Sequence, residues 1–284
     1  MPEPKSDSLY IAGSVADAVA ALADRGSDGA ALAGATWAMR APIRGDRQAR
    51  SHVAISKIAE LRTIEVSDKE VVIGSCVTHA ELARRLEPIP ELRGLAMAAG
   101  SSANPAVRQV ATVGGNLCTA DFAAADLVPA LLCLDAAVEI ETSDGSARLA
   151  IADFLMRRTS LGSASLVRRI IIPLRPMLSA HARLPLRKAG DYPVAIVSLS
   201  IETRRDGTIA AARIGVGSVE AVARRWSRLE EALIGTPRDA ILAGEQAQAS
   251  AGTFTGRDGI DAPSWYRVMV LPTLVRRAFE LLDQ

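Results

Sequence analysis

The sequence predicts an α+β protein of two domains, on three observations. The chain has 284 residues, which at roughly 150 residues per domain gives about two. Short apolar strands read as hairpins interleaved with capped helices. Pro173 and Pro176 punctuate the chain between its two halves, as domain boundaries are punctuated.

The first element is a helix. Ser14 and Asp17 suit its N-cap and N3 positions, Val15, Ala18, Val19 and Leu22 share one face, and Gly26 stops it. Gly29 to Ala33 is a short strand that runs into the small-residue turn Gly34-Ala35-Thr36. A strand at His52–Ile55 follows, then a hairpin in which Thr63–Val66 and Glu70–Ile73 flank Ser67-Asp68-Lys69. Thr78-His79-Ala80-Glu81 is a capping box ahead of Leu82 and Leu86, and Pro88 and Pro90 end that helix.

From Leu95 to Ala136 the chain is rich in Gly, Ala, Ser and Asn and nearly uncharged until Asp121. Small residues with a free backbone beside an apolar helix suit main chain wrapped closely round a ligand. A hairpin over Ala137–Thr142 and Ala147–Ala150 and a strand over Leu166–Ile172 close this half. The remainder reads as a strand (Val194–Glu202), an Asp206-Gly207 turn, a strand (Thr208–Val216), a helix (about Val219–Leu233) and a terminal helix (about Pro263–Leu282). Pro272 should kink or interrupt the last one. Together these make a small α+β domain.

Composition excludes several classes. Hydrophobic residues are 49% and charged residues 23%, the balance of a soluble globular protein. Basic and acidic residues number 33 and 32, so no bulk charge marks a nucleic-acid surface. Cys76, Cys118 and Cys133 show no CxxC spacing, which argues against a disulfide framework, a zinc site or an iron–sulfur cluster held by this chain alone. A reducing, cytoplasmic compartment is the simplest expectation. No run of about 18 apolar residues predicts a membrane span, and the first residues lack the order of a signal peptide.

Two loops are candidate ligand sites: Gly34-Ala35-Thr36 and Thr112-Val113-Gly114-Gly115-Asn116. A pyrophosphate needs several backbone N–H groups aimed at it, and glycine lets the main chain approach. Thr36, Thr112 and Asn116 add side-chain donors, and Asp126 is a candidate acceptor for ribose hydroxyls. Taken singly, Gly34 reads as an ordinary turn, Gly114-Gly115 as a turn or bulge and Asp126 as a solvated helix residue. Neither loop is G-x-G-x-x-G or a P-loop. His52 reads as a strand residue, His79 as an exposed first-turn residue and His181 as part of the linker. No His–Cys–carboxylate spacing marks a metal site or a nucleophilic triad. Cys118 reads as small core filler, and Trp226 and Trp265 as core or interface.

The stretch Asn104 to Leu117, with its Thr112-Val113-Gly114-Gly115-Asn116 block, resembles the second FAD-binding motif of the xanthine dehydrogenase family. Nearly the full length resembles the separate medium subunit of bacterial molybdenum hydroxylases. Asp126, Pro129, Ala130, Leu131 and Leu132 match that pattern's continuation, and Ala33-Gly34-Ala35-Thr36 its first motif. Arg187-Lys188-Ala189-Gly190-Asp191-Tyr192 resembles the start of its last domain, and Tyr266-Arg267 with Leu274–Ala278 its closing helix. The departures are Ala35 for the family's second glycine, Trp37 for a small or polar residue, and Phe122 near a usual proline. Ala35 implies either a longer approach to the phosphates or a φ below zero.

The resemblance implies a two-subdomain FAD-binding domain of the PCMH (vanillyl-alcohol-oxidase-like) type over residues 1–175, its subdomains being about 1–56 and 57–175, and a small α+β domain of antiparallel sheet and helices over 180–284. It implies FAD in this chain, its diphosphate held by backbone N–H groups of Ala33, Gly34, Ala35, Thr36 and of Thr112 to Asn116, including Gly114 and Gly115. Trp37 and Ala38 extend the first set. Asp126 would bind ribose or ribityl, Thr119 would add a hydroxyl, and Tyr192 and Lys188 would lie near the flavin ring. No catalytic residue or metal ligand is implied. Molybdopterin would sit on a large partner and two-iron two-sulfur clusters on a small one, in a dimer of heterotrimers. The alternatives are a self-contained FAD-dependent oxidase or reductase and a scaffold subunit without cofactor.

Overall fold

The computed structural model describes residues 8–45, 49–186 and 192–283, and they form three sheets, each with its own buried cluster. The first subdomain comprises β1 (Ser8–Ile11), α1 (Val15–Arg25), β2 (Gly29–Leu32), α2 (Ala41–Arg44) and β3 (Ser51–Ala54). Its sheet is parallel, in the order β1-β3-β2. Ser14 caps α1 by accepting from the Asp17 N–H at 3.1 Å, which satisfies one of the orphan donors of a helix start. Val15, Ala18, Val19 and Leu22 then pack on Val53 and Ile55.

The second subdomain runs β4 (Ile64–Val66), β5 (Glu70–Gly74), α3 (His79–Leu86), α4 (Arg93–Ser101), α5 (Pro105–Arg108), α6 (Val113–Cys118), α7 (Leu127–Cys133), β6 (Ala137–Thr142), β7 (Gly145–Ala150), α8 (Ile151–Arg157) and β8 (Leu166–Pro173). Its strands form an antiparallel sheet in the order β4-β5-β8-β6-β7. The alternating Val71, Ile73, Ile170 and Ile172 meet the apolar faces of α3, α4 and α7 in one cluster, the period-2 burial expected of a half-covered sheet.

The last part holds β9 (Leu178–Pro185), β10 (Pro193–Thr203), β11 (Ile209–Gly217), β12 (Arg224–Arg225), α9 (Ser227–Leu233), α10 (Ala240–Ser250), α11 (Ser264–Met269) and α12 (Leu271–Glu280). Its antiparallel sheet has the order β12-β11-β10-β9.

Several elements differ from the sequence expectation. β1 is an unanticipated four-residue edge strand with Leu9 and Ile11 exposed, so no buried alternation announces it. The expected linker around His181 is β9, and His181 is buried there. The helix expected over 219–233 begins only at Ser227, because β12 pairs with β11 first. α10 was not anticipated: its buried positions are Ala243, Ala247 and Ser250, too small to print an apolar stripe. The terminal helix is broken at Val270, and Pro272 occupies the first turn of α12, as its missing N–H demands. Trp226 is core, whereas Trp265 is exposed.

Candidate cofactor site

Two capped helix starts define the floor of the site. Thr78 Oγ1 accepts from the Glu81 N–H at 3.2 Å to begin α3. Thr112 Oγ1 accepts from the Gly115 N–H at 3.1 Å to begin α6. Thr78 and Thr112 face each other as an isolated antiparallel bridge. The His79 N–H donates to the Ala111 carbonyl at 2.9 Å and the Val113 N–H to the Val77 carbonyl at 3.0 Å. The two helices therefore start side by side.

The loop leaving β2 closes over this floor at Gly34. A Cβ built there would lie 1.8 Å from the Val110 carbonyl oxygen, so only glycine allows the two backbones to touch. Between them opens a cleft of about 460 Å³, within the size range of small-molecule sites. Ala33, Gly34, Ala35, Thr36, Trp37, Ala38, Thr112, Gly115, Asn116, Thr119 and Tyr192 all line it. The separated motifs of the sequence thus converge.

Their division of work differs from the sequence expectation. Four N–H groups of the second motif are satisfied within the protein: Val113 to Val77, Gly114 to the Ser75 carbonyl at 2.8 Å, Gly115 to Thr112 Oγ1, and Asn116 to the Thr112 carbonyl at 2.9 Å. Gly114 does not line the cleft; a Cβ there would meet Ser75 Cβ at 2.7 Å, so it packs α6 onto the end of β5. Gly115 faces the opening, with only Thr112 Oγ1 close to a built Cβ. The free donors belong to the first motif, where the N–H groups of Gly34, Ala35, Thr36 and Trp37 have no acceptor among the described residues. Ala35 has φ +58°, so the loop keeps a glycine-type turn despite its methyl group, contrary to the expected φ below zero. Thr119 donates its hydroxyl to the Gly115 carbonyl at 2.8 Å.

Asp126 is not on the lining. It is buried at the start of α7, where Arg183 Nε donates to its Oδ1 at 2.8 Å and His181 Nε2 lies 3.6 Å away. It ties the start of α7 to β9. Lys188 lies outside the described residues.

The structure adds Arg40, Arg44 and Arg158 and gives Phe122, Cys118 and His79 places other than those expected. Phe122 packs between Trp37 and Tyr192, tilted against the first and edge-on to the second, with ring centroids 4.7 and 4.8 Å apart. The Arg44 guanidinium lies 3.9 Å over Trp37, and Arg40 donates to the Tyr192 hydroxyl. These side chains make one aromatic, cation-backed wall. Cys118 borders the cleft instead of filling the core. His79, expected to be exposed, is buried at the cleft wall, and burial pushes its pKa down to about 4. At the far end of α6, Arg158 donates to the Leu117 and Ala120 carbonyls at 2.6 and 3.3 Å. A cation there complements the exposed C-terminal carbonyls of the helix.

Comparison with known proteins places this architecture. The family described as "FAD binding domain in molybdopterin dehydrogenase" matches residues 5–175, and the "CO dehydrogenase flavoprotein C-terminal domain" matches 181–282. The chain is 32% identical to the carbon monoxide dehydrogenase medium chain of Afipia carboxidovorans, over 94% of this chain and 93% of that one. It is 30% identical to the 6-hydroxypseudooxynicotine dehydrogenase complex subunit alpha of Paenarthrobacter nicotinovorans, over 97% and 94%. A solved carbon monoxide dehydrogenase from Hydrogenophaga pseudoflava matches with a TM-score of 0.88 at 26% identity, covering 98% of this chain and 97% of that one.

The fold is that of an FAD-binding oxidoreductase subunit. The chain belongs to the family of FAD-binding medium subunits of molybdenum-containing dehydrogenases.

The cleft's own residues fit FAD. A row of free N–H groups meets the needs of a diphosphate. Gly115 leaves open the space a side chain would fill. Asn116 Oδ1 and His79 Nε2 are buried without a partner among the described residues, as ligand-facing polar atoms are when the ligand is not counted.

Proposed function

We propose that this chain is the FAD-carrying electron-transfer subunit of a heteromeric molybdenum hydroxylase. It would stand between iron–sulfur clusters of a partner subunit and an external acceptor. The observation that carries the reading is the crossing of the two motif loops at Gly34 and Val110, which puts the free N–H row over the start of α6. Bound FAD supplies both one-electron and two-electron exchange, the chemistry that joins clusters to a two-electron acceptor.

In this reading the chain binds and orients. Gly34 to Trp37 donate to the diphosphate, with the Thr36 hydroxyl and the Asn116 amide beside them. Ala33, Ala38, Gly115 and Thr119 shape the walls, Thr112 and Gly114 hold α6 rigid beneath, and Tyr192 with Phe122 and Trp37 borders the flavin ring. The two domains divide at 1–175 and 180–284. The partners are a large molybdopterin subunit and a small iron–sulfur subunit, assembled as a dimer of heterotrimers in the cytoplasm. No helix among the described residues is long and apolar enough to cross a membrane.

The test is co-expression with the neighbouring subunits and native purification. One FAD per copy is expected, and a flavin-free complex rejects the reading. Turnover of a small donor by the isolated chain would favour a self-contained oxidase instead. A visible spectrum of the isolated protein without flavin absorbance would favour the cofactor-free scaffold.

A further inference from the structure

We propose that His79 is a further cofactor-holding residue, whose Nε2 accepts a hydrogen bond from a sugar hydroxyl of FAD. The proposal rests on the FAD reading above. The ring is 3% exposed and borders the cleft. Its backbone N–H donates to Ala111, which fixes it one residue from Thr112.

The tautomer follows from its neighbour. His79 Nδ1 is 2.7 Å from Ser102 Oγ, and the same hydroxyl reaches the Ala99 carbonyl at 3.1 Å. A serine hydroxyl has one proton to give. Ala99 is fully buried in the last turn of α4, and neither Ser102 nor Ala103 offers its carbonyl an N–H. A buried carbonyl demands a donor, so the hydroxyl proton goes to Ala99. Ser102 Oγ then accepts from Nδ1–H, and Nδ1 carries the proton.

With Nδ1 protonated and the ring neutral above about pH 4, Nε2 is a lone pair. It is buried, and among the described residues no group donates to it. Of the groups that reach this ring, the Asp126 carboxylate and the Thr112 backbone carbonyl only accept, and Asp126 is itself held by Arg183. A lone pair rejects phosphate oxygens and selects a donor. The groups joined directly to either end of a dinucleotide's diphosphate are hydroxyl-bearing: the ribityl chain on one side and the ribose on the other. His79 thus complements the N–H row: one element takes the anion, the other orients the polyol beside it.

The test uses apoprotein of the full chain and FAD affinity from flavin fluorescence. His79→Leu should weaken FAD binding about tenfold, a change of about 1.4 kcal/mol. His79→Gln, which keeps an acceptor near the Nε2 position, should bind within about threefold of the parent, about 0.7 kcal/mol. FAD analogues lacking single ribityl or ribose hydroxyls identify the partner: the right deletion makes parent and His79→Leu bind equally. Nitrogen-15 NMR of the parent should show Nδ1 protonated and Nε2 bare. Unchanged affinity in His79→Leu, no analogue closing the gap, or the opposite tautomer overturns the proposal while leaving FAD binding intact. Failure of the parent apoprotein to bind FAD overturns both.

Discussion

Gly34→Ala isolates the contact on which the site is built. The added Cβ would sit 1.8 Å from the Val110 oxygen and 2.7 Å from its carbonyl carbon. Side-chain Cβ atoms do not approach within 3.0 Å, so the loops must part by at least 1.2 Å, the gap between 1.8 and 3.0 Å. Both neighbours are backbone and cannot swing aside as a flexible side chain would. Forced overpacking of this kind costs about 1–3 kcal/mol. If the parted loops must be drawn together for FAD to bind, that energy lowers affinity by about 5- to 150-fold. Titration of apoprotein with FAD, followed by flavin fluorescence, reads the loss directly. Thermal unfolding with and without FAD supplies a second reading, because the stabilisation by ligand shrinks as the dissociation constant rises. Gly252→Ala is the control, since its Cβ meets nothing within 4 Å. Gly34→Ala binding FAD like Gly252→Ala would refute the reasoning.

Three further outcomes follow from the same geometry. Ala35 holds φ +58° at a cost of about 1 kcal/mol; Ala35→Gly removes that strain but adds a similar unfolded-state entropy, so denaturant titration should find stability unchanged within about 1 kcal/mol, while Ala35→Val falls clearly below both. Acid should destabilise the fold through His79, chiefly by its burial, with Arg108 pressing the same way and Asp126 and the Thr112 backbone opposing. Its folded pKa of about 4 lies below the ordinary 6.5, so the unfolded chain binds more protons between these values and stability drops as pH falls through that window; His79→Gln should flatten the slope between pH 7 and 5, and an equal slope would sink the assignment. Asp126→Asn weakens a buried charge pair and should cost about 3 kcal/mol in unfolding experiments, yet leave FAD affinity within about twofold; loss of FAD without loss of stability would restore the ribose role to that carboxylate.

The helix caps and the hairpins were legible because their causes are local. Ser14, Thr78 and Thr112 each accept from the N–H three residues on, a relation that spacing alone declares. The two motif loops were legible through small residues and family resemblance, and both line the cleft. What escaped depended on pairing at a distance. β9 pairs along β10 from Leu178 to Pro185; Leu178 to Leu184 does alternate apolar and polar residues, but its small alanines after Pro173 and Pro176 read as linker. His79 looked exposed because a first-turn position usually is; the Thr78–Thr112 bridge that buries it joins residues far apart in sequence. Asp126 matched a motif but lost its expected role to Arg183, which arrives on β9. Phe122 stood out only as a departure from a proline, and its packing between Trp37 and Tyr192 needed three separated segments to meet.

The two glycine motifs therefore do different physical work, although both read as phosphate loops. The second is a finished piece of protein. Its first-turn N–H groups are bound to Val77, Ser75 and Thr112, so it stays fixed whatever enters the cleft. The first is unfinished: from Gly34 to Trp37 its N–H groups meet no acceptor among the described residues. Leaving solvent for an anion costs such donors little when their geometry is already set. Rigidity below and unmet donors above would preorganise the cleft for an anion through backbone groups. They also explain why a methyl group is tolerated at Ala35, beyond the crossing, while Gly34, at the crossing itself, has no room for one.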